Sequence, residues 1–421
     1  MAAAFYPATT GDFFLAALER FMRSTGQGEH FGVTVLRLKS MPDLLALRAA
    51  WARVFEQHPV VGGRLQRRWR GWQLGWRVEG STKAPEIVVH QGQRLTDATI
   101  LDRLSRSTPE RLRMEVFTQA EGTGTVLLTW RHGIIDGVGL GLLLEQLSGQ
   151  APALAAPPAM ARPRPPLKQF AKQAKQAIET LKLMTCTGNY SAWHRGTKLP
   201  APRGFRVIEL SVEQSARVSE AQRRHGGDFF HMPFYAAVTA RALKRVHELR
   251  GLPPGYCHLE VPYQAGKRPA GAVFQNQMAT LLLPLLESQM DTCEAAVKHV
   301  MAVYREAMKS GLPQATAALM VLVMHLPVRL FIPFIRFQNE GEICGLFHSH
   351  TGTLLAQTPN FAGAEVDNVF NIPSVCTPPG LGIFFSEFQQ RLTITLAWRE
   401  GSLNAEEQEA VANGLVEDLT A

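Results

Sequence analysis

The sequence predicts an α/β protein built in two halves, on three grounds. Runs of β-branched and apolar residues alternate with segments of helical period from end to end, in both halves. Residues 151–166, APALAAPPAMARPRPP, carry six prolines and can hold neither a regular helix nor a central strand. A chain of 421 residues, 46% apolar and 19% charged, is long enough for two cores and too apolar to be disordered. The expected divisions are a first half at 1–150, a linker at 151–166 and a second half at 167–421.

In order, the first half reads as a helix at Asp12–Ser24, a strand at Phe31–Leu38 and a helix at Pro42–Gln57. A hairpin at Gly63–Val78 and a strand at Glu86–His90 follow. Thr125–Trp130 (TVLLTW) is apolar and β-branched enough for a buried strand, and Val138–Leu147 opens an apolar helix. A basic helix at Leu167–Met184 follows the linker. The second half then reads as a strand at Phe205–Leu210, helices at Val212–His225 and Met232–Arg250, and strands at Cys257–Val261 and Met278–Pro284. Next come a helix at Thr292–Ser310, an apolar stretch, and strands near Leu346–Leu355, at Phe370, at Leu381–Ser386 and at Gln389–Trp398. A last helix spans Asn404–Leu419, with Asn404 as its N-cap.

The most informative stretch is His132-Gly-Ile-Ile-Asp136-Gly137, which has the spacing H-x-x-x-D-G. It places a titratable imidazole at a strand-to-helix turn, where active groups are often presented. Composition alone would produce this spacing roughly 0.02 times per chain, so accident is a poor account of it. A histidine there can also be a core residue satisfied by its neighbours.

The motif and its setting resemble the acyltransferase superfamily of chloramphenicol acetyltransferase, carnitine acyltransferases, peptide-synthetase condensation domains and bacterial wax ester/diacylglycerol synthases. Leu44–Arg64 (LLALRAAWARVFEQHPVVGGR) is similar to the family's first helix and His-Pro turn. Val261-Pro262, Arg268, Asn276 and Leu283-Pro284 resemble its VP…R…N…LP block, and Asn368–Glu400 its closing strands. The resemblance implies two chloramphenicol-acetyltransferase-like halves meeting at a tunnel that reaches His132. It also implies that Asp136 is structural, pointing away from the site into a salt bridge with Arg268. Many relatives carry a second histidine directly before the first; here Arg131 stands there, a departure from the condensation-domain pattern.

A neutral imidazole is suited to take the proton of an attacking hydroxyl or amine, and His132 is the candidate general base. Because the acceptor is itself the nucleophile, no acyl-enzyme is required, and no G-x-S-x-G elbow suggests a serine hydrolase. Gly137 reads either as a close approach of substrate or as a routine turn glycine. Asn276 reads as a donor to substrate or oxyanion, or as a strand-entry residue satisfying backbone. Ser349 and Thr351 are candidates to bind the oxyanion, and His58 before Pro59 is structural. The expected function is transfer of an acyl group from an acyl-CoA or a carrier-protein thioester to a hydrophobic hydroxyl acceptor. Amide formation on a carrier-bound amine, and a catalytically inactive homologue that binds an acyl chain or partner, are the alternatives.

No permanently bound cofactor is expected; the thioester is a co-substrate. Dispersed histidines and cysteines give no metal signature. Five scattered cysteines (Cys186, Cys257, Cys293, Cys344, Cys376) argue for reduced thiols in the cytoplasm. The N-terminus does not read as a signal peptide. Net charge is +8, and Arg64, Arg67, Arg68, Arg70 and Arg77 interleave with Trp69, Trp72 and Trp76. That pattern fits a hairpin with one wet face better than a nucleic-acid platform, and no nucleic-acid partner is expected. Ala317–Phe337 is the most apolar segment, but His325, Pro327, Arg329, Pro333 and Arg336 interrupt it. It reads as a buried helix pair, or as an amphipathic segment in peripheral contact with an inner membrane face or a lipid substrate.

Overall fold

Two six-stranded sheets organise the chain, and two strands from the second half complete the first sheet. The computed structural model describes residues 4–149 and 191–421, apart from 69–72, 81, 109, 120, 194–197, 227–230 and 265–266, together with 168, 171, 172 and 175. The proline-rich linker, most of the Leu167–Met184 helix, Trp69, Arg70, Trp72 and Cys186 fall outside the described residues.

The first half contributes strands β1 (Ala4–Pro7), β2 (Phe31–Leu38), β3 (Arg64–Arg67), β4 (Leu74–Val78), β5 (Val88–His90), β6 (Leu112–Thr118) and β7 (Gly124–Arg131). Its helices are α1 (Thr10–Ser24), α2 (Leu44–Gln57), α3 (Asp97–Ser105) and α4 (Gly137–Ser148). Strands of the second half are β8 (Arg203–Glu209), β9 (Tyr256–Gln264), β10 (Met278–Leu286), β11 (Leu346–Thr353), β12 (Asn360–Phe361), β13 (Ala364–Pro373), β14 (Leu381–Phe388) and β15 (Arg391–Arg399).

The first sheet runs β12-β13-β2-β7-β6-β5, and the second β10-β9-β11-β14-β15-β8. Residues 360–373 therefore leave the second half to pair with β2, so a division of the chain at 151–166 does not divide its sheets. The physical reason is visible in β13. Val369, Phe370 and Ile372 are buried, and Asn371 accepts a hydrogen bond from Thr34 on β2 at 2.7 Å. Helix α3 and β6, absent from the sequence reading, complete the far edge of the first sheet, with β5 and β6 parallel. The Gly63–Val78 hairpin is present as β3 and β4, and β1, also unforeseen, adds a third strand. Trp76 is buried, its indole donates to Asp12 at 3.3 Å, and Arg111 lies over its ring.

Strand β7 is the element that delivers the motif. It is buried along nearly its whole length between β2 and β6, and Gly32 of β2 leaves the space that the Trp130 ring fills. Helix α4 then packs back on the sheet through Leu140, Leu143, Leu144 and Leu147, a single apolar face at helical spacing. Each such buried leucine contributes about 1.5–3 kcal/mol, so the helix that follows the motif is firmly anchored.

In the second half, helices Val212–Gly226, His231–Leu249, Cys293–Lys309 and Ala405–Thr420 cover one face of the sheet. Asn404 caps the last of these in a capping box with Glu407. The apolar Ala317–Phe337 segment divides between helices Leu312–Val323 and Val328–Gln338, which pack on α1 through Phe13, Phe331 and Ile332. Among the described residues no helix is long and apolar enough to cross a membrane. Leu326, Leu330, Phe334 and Phe337 nevertheless stay exposed along one stripe, Phe337 at 88%.

Candidate functional site

His132 begins a short 3-10 turn, His132–Ile134, where β7 ends, and its backbone N–H donates to the His30 carbonyl at 2.9 Å. Its Nδ1 lies 3.1 Å from the Ile135 carbonyl oxygen, which can only accept. Nδ1 therefore carries the proton and Nε2 the lone pair. The ring is half-buried, and burial lowers its pKa below the ordinary imidazole value. At neutral pH it is an uncharged base with its basic nitrogen away from its own turn.

Asp136 does not face this imidazole as a second base. Both carboxylate oxygens accept from Arg268 Nη2, at 2.6 and 2.5 Å. Oδ2 also accepts from the Gln277 backbone N–H at 2.8 Å, and Oδ1 from Gly139 N–H at 2.8 Å, the N-cap of α4. Arg268 in turn donates to the carbonyls of Ala272 and Gln275. The ion pair is almost wholly enclosed, at 2% and 8% side-chain exposure. One carboxylate thus starts the helix after the motif and ties it to the 268–277 segment of the other half.

Two glycines let these parts close. A Cβ on Gly139 would lie 2.2 Å from the Val273 carbonyl oxygen, so only glycine fits there. A Cβ on Gly137 would meet Thr351 Cγ2 at 3.2 Å. What comes close to Gly137 in the structure is strand β11, and its φ is not in the left-handed region.

Asn276 is a correction. Its Nδ2 donates to Asp12 Oδ1 at 2.8 Å and to the Gly133 carbonyl at 3.0 Å. Both amide protons are engaged, so none remains for substrate or oxyanion. The residue pins the turn after His132 to the start of α1, and Asp12, capped by Thr9, holds it from the other side. Thr351 is corrected likewise: its hydroxyl donates to the Phe385 carbonyl at 3.0 Å. Ser349 lies two residues earlier on β11, half-buried, in the regular part of the strand opposite Phe384, before the bulge that contains Thr351. His58 packs edge-on against the Phe274 ring at 5.3 Å and is buried, as a structural residue should be.

Three features were not legible. His30, the residue before β2, places its ring 4.9 Å from that of His132, and burial and the neighbouring His132 and Arg203 push its pKa far down. Arg131, in the position of the missing first histidine, turns to Glu29 at 2.5 Å and Glu19 at 3.2 Å. Glu19 also lies 3.5 Å from where a Gly133 side chain would begin, so this charged trio backs the His132 turn. The signal was present only as pairing: Phe31 lies opposite Arg131, which sets His30 beside His132. Among the described residues no group of histidine, cysteine and carboxylates is arranged to hold a metal, and the four described cysteines are free.

Comparison with solved structures places this fold. The trichothecene 15-O-acetyltransferase of Fusarium sporotrichioides superposes with a TM-score of 0.72 at 10% identity, covering 99% of this chain and 95% of its own. The first condensation domain of the CDA synthetase gives 0.69 at 15% identity, covering 99% and 96%. Polyketide synthase associated protein 5 of Mycobacterium tuberculosis gives 0.64 at 16% identity, covering 100% and 99%. The chain therefore has the two-lobed fold shared by condensation domains and chloramphenicol-acetyltransferase-like acyltransferases. No family model and no curated protein sequence matches it.

Proposed function

We propose that the protein is an acyltransferase that moves an acyl group from an acyl-CoA or carrier-protein thioester to a hydroxyl on a hydrophobic acceptor. The observation that carries this reading is the His132 tautomer: Nδ1 is held by the Ile135 carbonyl, leaving an uncharged Nε2 as base. As the acceptor oxygen attacks the thioester carbonyl carbon, Nε2 takes the hydroxyl proton. The tetrahedral intermediate then expels the thiolate, and the imidazolium returns the proton to sulfur. Ser349 is the hydroxyl left to steady the oxyanion, since Thr351 and Asn276 are engaged elsewhere. The structural neighbours include an acetyltransferase and condensation domains, which supports acyl transfer as the reaction class. The exposed stripe Leu326, Leu330, Phe334 and Phe337, beside Arg329, suits peripheral contact with an anionic lipid surface.

The test is product analysis. Purified protein with mixed acyl-coenzyme A and lipid alcohols should yield esters by mass spectrometry. His132→Ala should lower turnover at least about a hundredfold without altering the melting temperature. Radiolabelled thioester without acceptor should leave no covalent label on the denatured chain. A stoichiometric label would replace direct transfer with an acyl-enzyme, and near-native turnover in His132→Ala would remove that residue from the mechanism.

A further inference from the structure

One face of the second sheet packs into the helical layer; the other looks towards the half that carries His132. By strand alternation the second face presents Glu260 from β9, Thr280 and Leu282 from β10, and Phe347 and Ser349 from β11, and a bulge then carries β11 on to Thr351. All six are half-buried, whereas the intervening Leu259, Leu281, Leu283 and Leu346 are sealed in the core. Such a pattern describes a face that is partly accessible rather than sealed. Thr351, at one end of this face, touches Gly137.

Glu260 is the only carboxyl among those six side chains. Leu282 lies directly across from it on β10 and Phe347 beside it on β11, and both pack against the cluster of Phe13, Phe331, Cys344 and Cys376. Its polar neighbours are the Cys344 thiol, with Sγ 3.9 Å from Oε2, and the Thr280 hydroxyl. Among the described residues no lysine or arginine pairs with it. Burial without a cation raises its pKa to about 7. A lone carboxyl in apolar surroundings costs folding free energy that a leucine there would not, and such residues concentrate at binding sites.

We propose that Glu260, with Thr280 and Cys344, is the far end of the acceptor site and binds a hydrogen-bond donor, amine or hydroxyl, carried at the distal end of an otherwise apolar substrate. The spacing suits this. Strand β10 follows directly on Gln277, which is bonded to Asp136 at the His132 turn, and Leu282 lies five residues further on. At strand rise that is about 17 Å, the scale of an extended chain with its reacting hydroxyl at one end and its second polar group at the other. This assignment rests on the acyltransferase reading for the end at which chemistry occurs.

The test is calorimetric binding, without acyl donor, of three ligands that share a ten-carbon chain: 1-decanol, 1,10-decanediol and 10-amino-1-decanol. The wild type should bind at least one polar-ended ligand tenfold or more tighter than 1-decanol. Glu260→Leu should reduce that preference to less than twofold while binding 1-decanol as well or better, and Glu260→Met serves if leucine does not fold. Glu260→Gln separates the two donors: a hydroxyl-specific site keeps most of its preference, while an ammonium site loses it. At pH 7 the ammonium arm should also release protons, seen as heats that differ between two buffers. Absence of preference in the wild type, persistence of it in the apolar variants, or no binding of any of the three overturns the proposal. Repeating the titrations in His132→Ala keeps the two readings apart. Intact preference with no ester formed by the wild type would sink the acyltransferase reading alone, and turnover without preference would sink this one alone.

Discussion

At the residue scale, the candidate site is one imidazole held by its neighbours rather than a collection of reactive groups. Because burial lowers the His132 pKa, the neutral form that the proposed mechanism needs persists below the ordinary imidazole value of 6.5. The acid limb of kcat/KM against pH should therefore fall at a pH below 6.5, and a limb above 6.5 would contradict the enclosed, neutral imidazole. Asp136 and Arg268 make a second expectation. Removing one partner of a buried ion pair costs roughly 3–5 kcal/mol because the other charge is stranded. Asp136→Asn and Arg268→Ala should each lower both melting temperature and activity, and the double variant should lose far less than the sum. Additive losses would mean that the pair does not act as a unit. Legibility at this scale was uneven. The H-x-x-x-D-G spacing pointed to His132 and, through the resemblance, to the Asp136–Arg268 contact. It could not tell that Asn276 and Thr351 already have partners, because hydrogen-bond satisfaction depends on other elements of the fold, Asp12 and Gly133 for Asn276 and Phe385 for Thr351.

At the element scale, periodicity found most strands and helices, most with ends displaced by one to three residues, although β13 was read only near Phe370 and runs Ala364–Pro373. It missed β1, α3, β6 and β12. The first of these is a four-residue strand that exists through its pairing with β4. The apolar Ala317–Phe337 segment was legible as a helix pair, since its prolines forbid a single long helix. The exposed stripe on its second helix gives a further prediction. The protein should co-sediment with anionic phospholipid vesicles, and a triple Leu330→Ser, Phe334→Ser, Phe337→Ser variant should lose most of that binding while keeping its melting temperature. Equal recovery of variant and wild type in the vesicle pellet would assign the stripe another purpose.

At the scale of the whole molecule, buried histidines set a pH limit on stability. His30, His58, His258 and His348 are enclosed; burial lowers His58 and His258 to about 4 and His348 to about 3, and His30 lies well below its ordinary value. The unfolded chain takes up these protons near pH 6.5 while the folded chain refuses them, so stability falls as pH drops below that value. With up to four protons involved, the slope approaches several kcal/mol per pH unit near pH 5. The melting temperature should therefore drop steeply between pH 6.5 and 5, and a flat profile there would show that these rings are not held neutral together.

The sequence by itself determined the α/β class, most elements, the proline-rich interruption and the place of the H-x-x-x-D-G motif at the end of β7. Those follow from local pattern: apolar period, turn chemistry and the spacing of a short motif. Only the tertiary structure decided that β13 crosses into the first sheet, that His30 lies against His132, and that Glu260 stands on the sheet face turned to the first half. Each is a juxtaposition of segments distant in sequence, fixed by strand register and by the burial of side chains against one another, and no local pattern encodes which distant partner a strand will meet.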